Sequence, residues 1–237
     1  MAGIGLERMV LRAVAGAGAV LGLVVLALAF AGAWGGAQAG GAASGRDRAG
    51  AFDYYVLALS WSPSWCRDTG DGRGAAQCAA GRKTDFVLHG LWPQYERGWP
   101  RDCATAERDP SRRDSQAMAD IMGSGGLAWY QWKKHGRCSG LSGPGYYAAM
   151  RAAWQGLVLP PVFVDLPRDI RIPPAVIEDA FIEANPALTR NGITVTCDGP
   201  DLQEVRICLT RDLQPRDCAP DARRDCALPA VLMQQVR

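Results

Sequence analysis

The chain of 237 residues holds only two histidines, His89 and His135, and each lies beside tryptophan in a motif-like stretch. The first, Phe86–Gln94, reads FVLHGLWPQ; the second, Trp129–Gly140, reads WYQWKKHGRCSG. An unperturbed imidazole titrates near pH ~6.5, so one neutral and one charged ring suit a reaction that needs a base and an acid. For His89 alone, a core histidine tied to a backbone carbonyl is the bland alternative; the pairing of the two stretches argues for chemistry. Gln131, Lys134 and His135 fall at i, i+3 and i+4 of a helix, and Tyr130 lies four residues before Lys134. An amide, an ammonium and an imidazole then share one face that could surround a small anion. A solvated polar face is the alternative there. Cys138 weakens it, because a disulfide at that point would fix the helix end and the imidazole with it.

The elements that must hold these groups can be read from pattern. Lys83–His89 ends in the apolar run Phe86-Val87-Leu88 and predicts a buried strand, with Gly90 freeing a sharp turn and Pro93 fixing the exit. Phe52–Ser60 predicts a first strand, and Trp61–Cys78 a loop. Helices are predicted over Ser111–Met122, capped by Ser111 with Asp114 at the third position, and over Leu127–His135, ended by Gly136. Gly145–Gly156 predicts another helix. A proline-rich extended segment follows, then a helix over Ala175–Asn185 opened by Pro174. Asn191-Gly192 marks a turn before two antiparallel strands, Ile193–Cys197 and Glu204–Thr210. Strands at both ends with helices between give an α+β fold for residues 51–237.

Net charge is only +2, which excludes a basic polyanion-binding surface spread over the whole domain and leaves nucleic acid a local site. All eight cysteines lie beyond the N-terminal apolar segment, and none forms a C-x-x-C pair. That favours disulfides in an oxidising compartment over a zinc site. Residues 1–39 carry Glu7, Arg8 and Arg12 ahead of an apolar run and end in Ala37-Gln38-Ala39. This is the layout of a secretory signal peptide, with a retained membrane anchor as the rival. Residues 40–50, rich in Gly and Ala, read as a flexible leader.

His89–Gln94 (HGLWPQ) and Trp132–Cys138 (WKKHGRC) resemble the two active-site signatures of the ribonuclease T2 family. Tyr55–Cys66 (YVLALSWSPSWC) is similar to that family's first strand and loop, and the region around Ala175–Cys226 to its C-terminal pattern. The resemblance implies a central antiparallel sheet flanked by helices and stapled by disulfides. It implies cleavage of single-stranded RNA, not DNA, by transesterification through a 2′,3′-cyclic phosphate, in a monomer without metal or other cofactor, periplasmic or secreted. His135 would be the base, His89 the acid, Lys134 the charge stabiliser and Trp92 a wall of the site, with Tyr130 at the substrate and Gln131 in the catalytic set. The pairing it implies is Cys66–Cys78, Cys103–Cys138, Cys197–Cys226 and Cys208–Cys218. The sequence departs from the family where His-Glu is usual, carrying Tyr130 and Gln131 instead. Neither carries a charge, and a weakly active or inactive secreted RNA-binding member of the same fold is the alternative.

Overall fold

The computed structural model describes residues 47–237. The signal peptide or anchor expected over residues 1–39, and residues 40–46 of the leader, lie outside the described residues. The end of the leader is already packed: Arg48 forms a β-bridge with Ala104, and the Gly50 amide donates to the Cys138 carbonyl at 2.9 Å.

Six strands form one sheet: β1 (Tyr54–Trp61), β2 (Phe86–Gln94), β3 (Ile170–Ile172), β4 (Ile193–Asp198), β5 (Asp201–Leu209) and β6 (Val231–Met233). β1 lies between β2 and β5 and is antiparallel to both; β4 makes a hairpin with β5, and β3 pairs antiparallel with β6. The expected antiparallel sheet is therefore mostly so, with one parallel pairing where Asp201 of β5 faces Leu232 of β6. Three-residue strands such as β3 and β6 are too short for alternation to declare itself in sequence.

Alternation along β1 divides the molecule. Tyr55, Leu57, Leu59 and Trp61 enter the main apolar core, whereas Tyr54 and Val56 belong to a smaller cluster on the other face with Cys208, Cys218 and Trp92. Helices cover the core side. They are α1 (Ser62–Trp65), α2 (Arg112–Ala117), α3 (Ala119–Met122), α4 (Gly125–Lys134), α5 (Gly143–Gln155) and α6 (Pro174–Ala184). Met122, Ala128, Trp132, Tyr146, Met150, Ile177 and Phe181 from α3 to α6 are buried in that core.

Three local expectations change. The segment Trp61–Cys78 is not irregular: α1 opens on Pro63 in its first turn and runs into further helical turns up to Cys78, where the Cys66–Cys78 disulfide closes it. The single helix expected over Ser111–Met122 is two, α2 and α3, divided at Met118, although the Ser111/Asp114 capping box is present. The turn expected at Gly90 does not occur. β2 continues through His-Gly-Leu-Trp-Pro to Gln94, paired with β1 on both sides of His89, and Pro93 is tolerated because β2 is an edge strand.

Candidate active site

Both signatures converge on the free face of the β2 edge. Opposite Ala58 of β1 stands Gly90, and opposite Leu59 stands Leu88, so His89 is the extra residue of a β-bulge. On the same strand Ala58 also faces Arg206, and Ser60 faces Glu204 of β5. These are small side chains on the face away from the main core. They leave room for His89, on β2, to reach across β1 to β5. Its Nδ1 meets Oε1 of Glu204, whose side chain is 4% exposed while that of His89 is 32% exposed. The other carboxylate oxygen accepts from Nε and Nη2 of Arg206 at 2.8 and 2.6 Å. Burial pushes the Glu204 carboxyl up, but the hydrogen bond and charge of His89, with those of Arg206, outweigh it and hold the group below the usual carboxylate range. The Arg206 guanidinium then lies 5.3 Å from the centre of the Trp92 ring.

Trp92 is the partition of the site. Its ring centre stands 5.3 Å from that of His89, edge-on, and 5.4 Å from that of His135 at an angle of 31°. Trp92 Nε1 donates to Gln131 Oε1 at 2.8 Å. A Cβ on Gly90 would sit 2.3 Å from that indole nitrogen and 2.5 Å from that amide oxygen, so the glycine is needed for this close approach.

His135 terminates α4. Its amide still donates to the Gln131 carbonyl at 2.9 Å, but its backbone leaves helical geometry (φ −121°, ψ −44°). The position is clamped on several sides: Asp102 N donates to the Lys134 carbonyl at 2.9 Å, and Cys138 is bonded to Cys103. Gly136 packs where a Cβ would meet Trp132 and Tyr146 at 2.5 and 2.6 Å. The ring is buried, and its Nδ1 has no hydrogen-bond partner among the described residues. Burial first, then the charges of Lys134 and His89, pull the His135 pKa down to about 3.

The structure thus gathers His89, Trp92, Gln131 and His135 into one contiguous group. Gln131 is buried and spent on Trp92, so it is not free on the helix face. Lys134 and Tyr130 form the outer flank: Nζ donates to the tyrosine hydroxyl at 3.2 Å, and the tyrosine is exposed. Sequence reasoning missed Glu204 and Arg206. The available signal was a Glu-Val-Arg-Ile-Cys alternation, which sends two opposite charges to the face opposite Val205 and Ile207. Among the described residues no cluster of His, Cys, Asp and Glu is arranged to hold a metal. Chemically, the group offers a neutral buried imidazole, a carboxylate-backed imidazole and a nearby ammonium.

All four disulfides join the expected partners, with Cα–Cα distances of 5.1–5.4 Å. Among solved structures the chain is similar to an RNase-related protein from Calystegia sepium (TM-score 0.62, 20% identity, 78% of this chain and 98% of that one). It is also similar to RNase NT in complex with 5′-AMP (TM-score 0.56, 19% identity, 78% and 97%). In sequence it is 46% identical over 101 residues to a ribonuclease of Aeromonas hydrophila, covering 43% of this chain and 44% of that protein. To ribonuclease I of Escherichia coli K12 it is 29% identical over 140 residues, covering 43% and 52%. The matches thus span about half the length of these curated relatives. The model of the Ribonuclease T2 family matches residues 52–218, which take in both histidine signatures, the bulge and β5, and the chain belongs to that family.

Proposed function

We propose that the protein is an endoribonuclease that cleaves single-stranded RNA by transesterification through a 2′,3′-cyclic phosphate, without a metal. The observation that carries this reading is the pair of histidines on either side of Trp92, at 5.3 and 5.4 Å between ring centres, in unlike surroundings. Unlike surroundings are what separate a base from an acid. Neutral His135 takes the 2′-hydroxyl proton as that oxygen bonds to phosphorus. Protonated His89 gives its proton to the 5′-oxygen as the P–O5′ bond breaks. Lys134 stabilises the phosphorane charge, and Tyr130 donates to the phosphate from the same flank. Trp92 walls the site, and Gln131 holds Trp92. DNA is refused because it lacks the nucleophile.

Four disulfides and the likeness to ribonuclease I support a periplasmic or secreted location. The test is cleavage of a single-stranded homopolymer RNA by the disulfide-intact protein in the presence of a chelator, with the product ends analysed. Cyclic phosphate ends are expected. RNA binding without cleavage would instead establish the inactive RNA-binding reading, which the loss of charge at Tyr130 and Gln131 motivates.

A further inference from the structure

We infer that Glu204 is a positioning residue for His89: its buried carboxylate accepts a hydrogen bond from Nδ1–H, so that Nε2 is the nitrogen that delivers the proton to the leaving oxygen. The inference rests on the acid role proposed for His89 and adds a residue that neither histidine signature contains. Three observations carry it. Glu204 Oε1 meets His89 Nδ1 across the width of β1, over Ala58 and Ser60 and at the one bulge in the β1–β2 ladder. The carboxylate is 4% exposed, so the bond is shielded from competing solvent. Its second oxygen is tied by both Nε and Nη2 of Arg206, so the carboxylate cannot swing away from the imidazole.

The proton accounting follows from that geometry. Before transfer, His89 carries Nδ1–H toward Glu204 and Nε2–H toward the 5′-oxygen. When the P–O5′ bond breaks, the Nε2 proton goes to the oxygen and His89 is left neutral with its remaining proton on Nδ1. Glu204 stays ionised throughout, as the orienting carboxylate of a catalytic triad does. The helix that bears the second signature offers no carboxylate, since position 131 is an amide engaged with Trp92. The anion of this site therefore stands on the sheet. The charged and titratable groups around His89 are Glu204 and Arg206 from β5 and, from the end of α4, His135, with Lys134 beyond it.

The experiment uses the disulfide-intact protein and its variants Glu204→Gln, His89→Ala and the double variant, with one dinucleotide substrate across pH. Glu204→Gln keeps the shape and removes the charge. It should lower kcat by about 10- to 100-fold, within the range of general acid–base effects, and leave KM within about twofold. With the partner of Nδ1 changed from an anion to a neutral amide, the pH profile of kcat should also depart from the parent's. In the His89→Ala background the same substitution should change kcat by less than about twofold, because its route of action is gone. A parental rate and pH profile in Glu204→Gln, or a full additive loss in the double variant, would overturn the inference. Should Glu204→Gln fail to fold, nitrogen NMR of the parent decides. His135→Ala assigns the signals, and neutral His89 is expected as the Nδ1–H tautomer with a far-downfield proton; the Nε2–H tautomer would overturn the proposal. That spectrum is independent of RNA cleavage, so an inactive parent with the expected tautomer would sink the proposed reaction and not the pairing.

Discussion

The surroundings of the two histidines differ in almost every respect that governs a proton. His89 sits in a strand bulge, one-third open to solvent, with a buried carboxylate on one nitrogen. His135 sits at a helix end, buried, with Nδ1 unpaired among the described residues and with a lysine as its neighbour. Under the proposed reaction the first site orients the proton that is given and the second receives the one that substrate offers. The same residue type thus has two different supports, sheet for one and stapled helix end for the other, and the two proposed roles rest on that difference.

The largest expected effect breaks the helix-end support. Cys103–Cys138 closes a loop with a sequence separation of 35, and removing both cysteines by Cys→Ser should cost roughly 3–4 kcal/mol in the chain-entropy model. Activity should fall further than the same stability loss produced by opening Cys197–Cys226, because only the first bridge adjoins His135. Denaturant unfolding and rates measured on both paired variants check this; equal losses of activity at equal stability would erase the distinction.

Next come the rings themselves. Replacing either His89 or His135 by Ala should lower RNA cleavage by at least about 10²-fold, the usual general acid–base contribution. The pH profiles should then differ: the His89 variant loses its basic limb and the His135 variant its acidic limb. If both variants cleave as fast as the parent, the assignment fails.

A pH-dependent effect concerns stability. In the fold His135 stays neutral down to about 3, while in the unfolded chain it binds a proton below pH ~6.5. The unfolded state thus holds more protons in that window. The stabilising contribution is full above pH ~6.5 and is lost progressively as pH falls toward 3, at up to ~1.4 kcal/mol per unit. His135→Asn should flatten the stability–pH curve over that interval, as measured by denaturation at a series of pH values. An unchanged slope would mean that the ring is not held neutral.

The smallest effect tests Gln131. A glutamate there would still accept from Trp92 Nε1 and would add an anion on the His135 side of the indole. A nearby anion favours the imidazolium, so Gln131→Glu should move the acidic limb of log(kcat/KM) upward by some tenths to about one unit, and raise the rate at the optimum. Paired pH–rate profiles decide; an unmoved or lowered limb would show that residue 131 is electrically remote from His135.

The parts legible in sequence were those set by short-range chemistry. Ser111 with Asp114 announced a cap, Pro174 a helix start, Asn191-Gly192 a turn, and the paired motifs both histidines. What was not legible depends on partners far along the chain. Gly90 was read as a turn because its local freedom permits one, whereas its missing Cβ is required by Trp92 and Gln131. Gln131 was placed on the catalytic face by its helical spacing, yet its side chain is committed to an indole on a strand. For Glu204 and Arg206 the alternation along β5 indicates a shared face, but nothing local signals that β5 lies two strands from His89.

The strand order β2-β1-β5 has a consequence for how the molecule matures. Residues 89 and 204 are separated by 115 positions, and the imidazole meets its carboxylate only after β5 has docked along β1. Both histidine signatures emerge from the ribosome well before that strand. A growing or truncated chain thus carries the visible motifs without the anion that orients one of them. Long-range pairing of this kind is intrinsically slower to form than local helices and turns. Under the proposed reaction, oriented proton delivery by His89 would await the docking of β5 along β1, tying full activity to that pairing of the sheet.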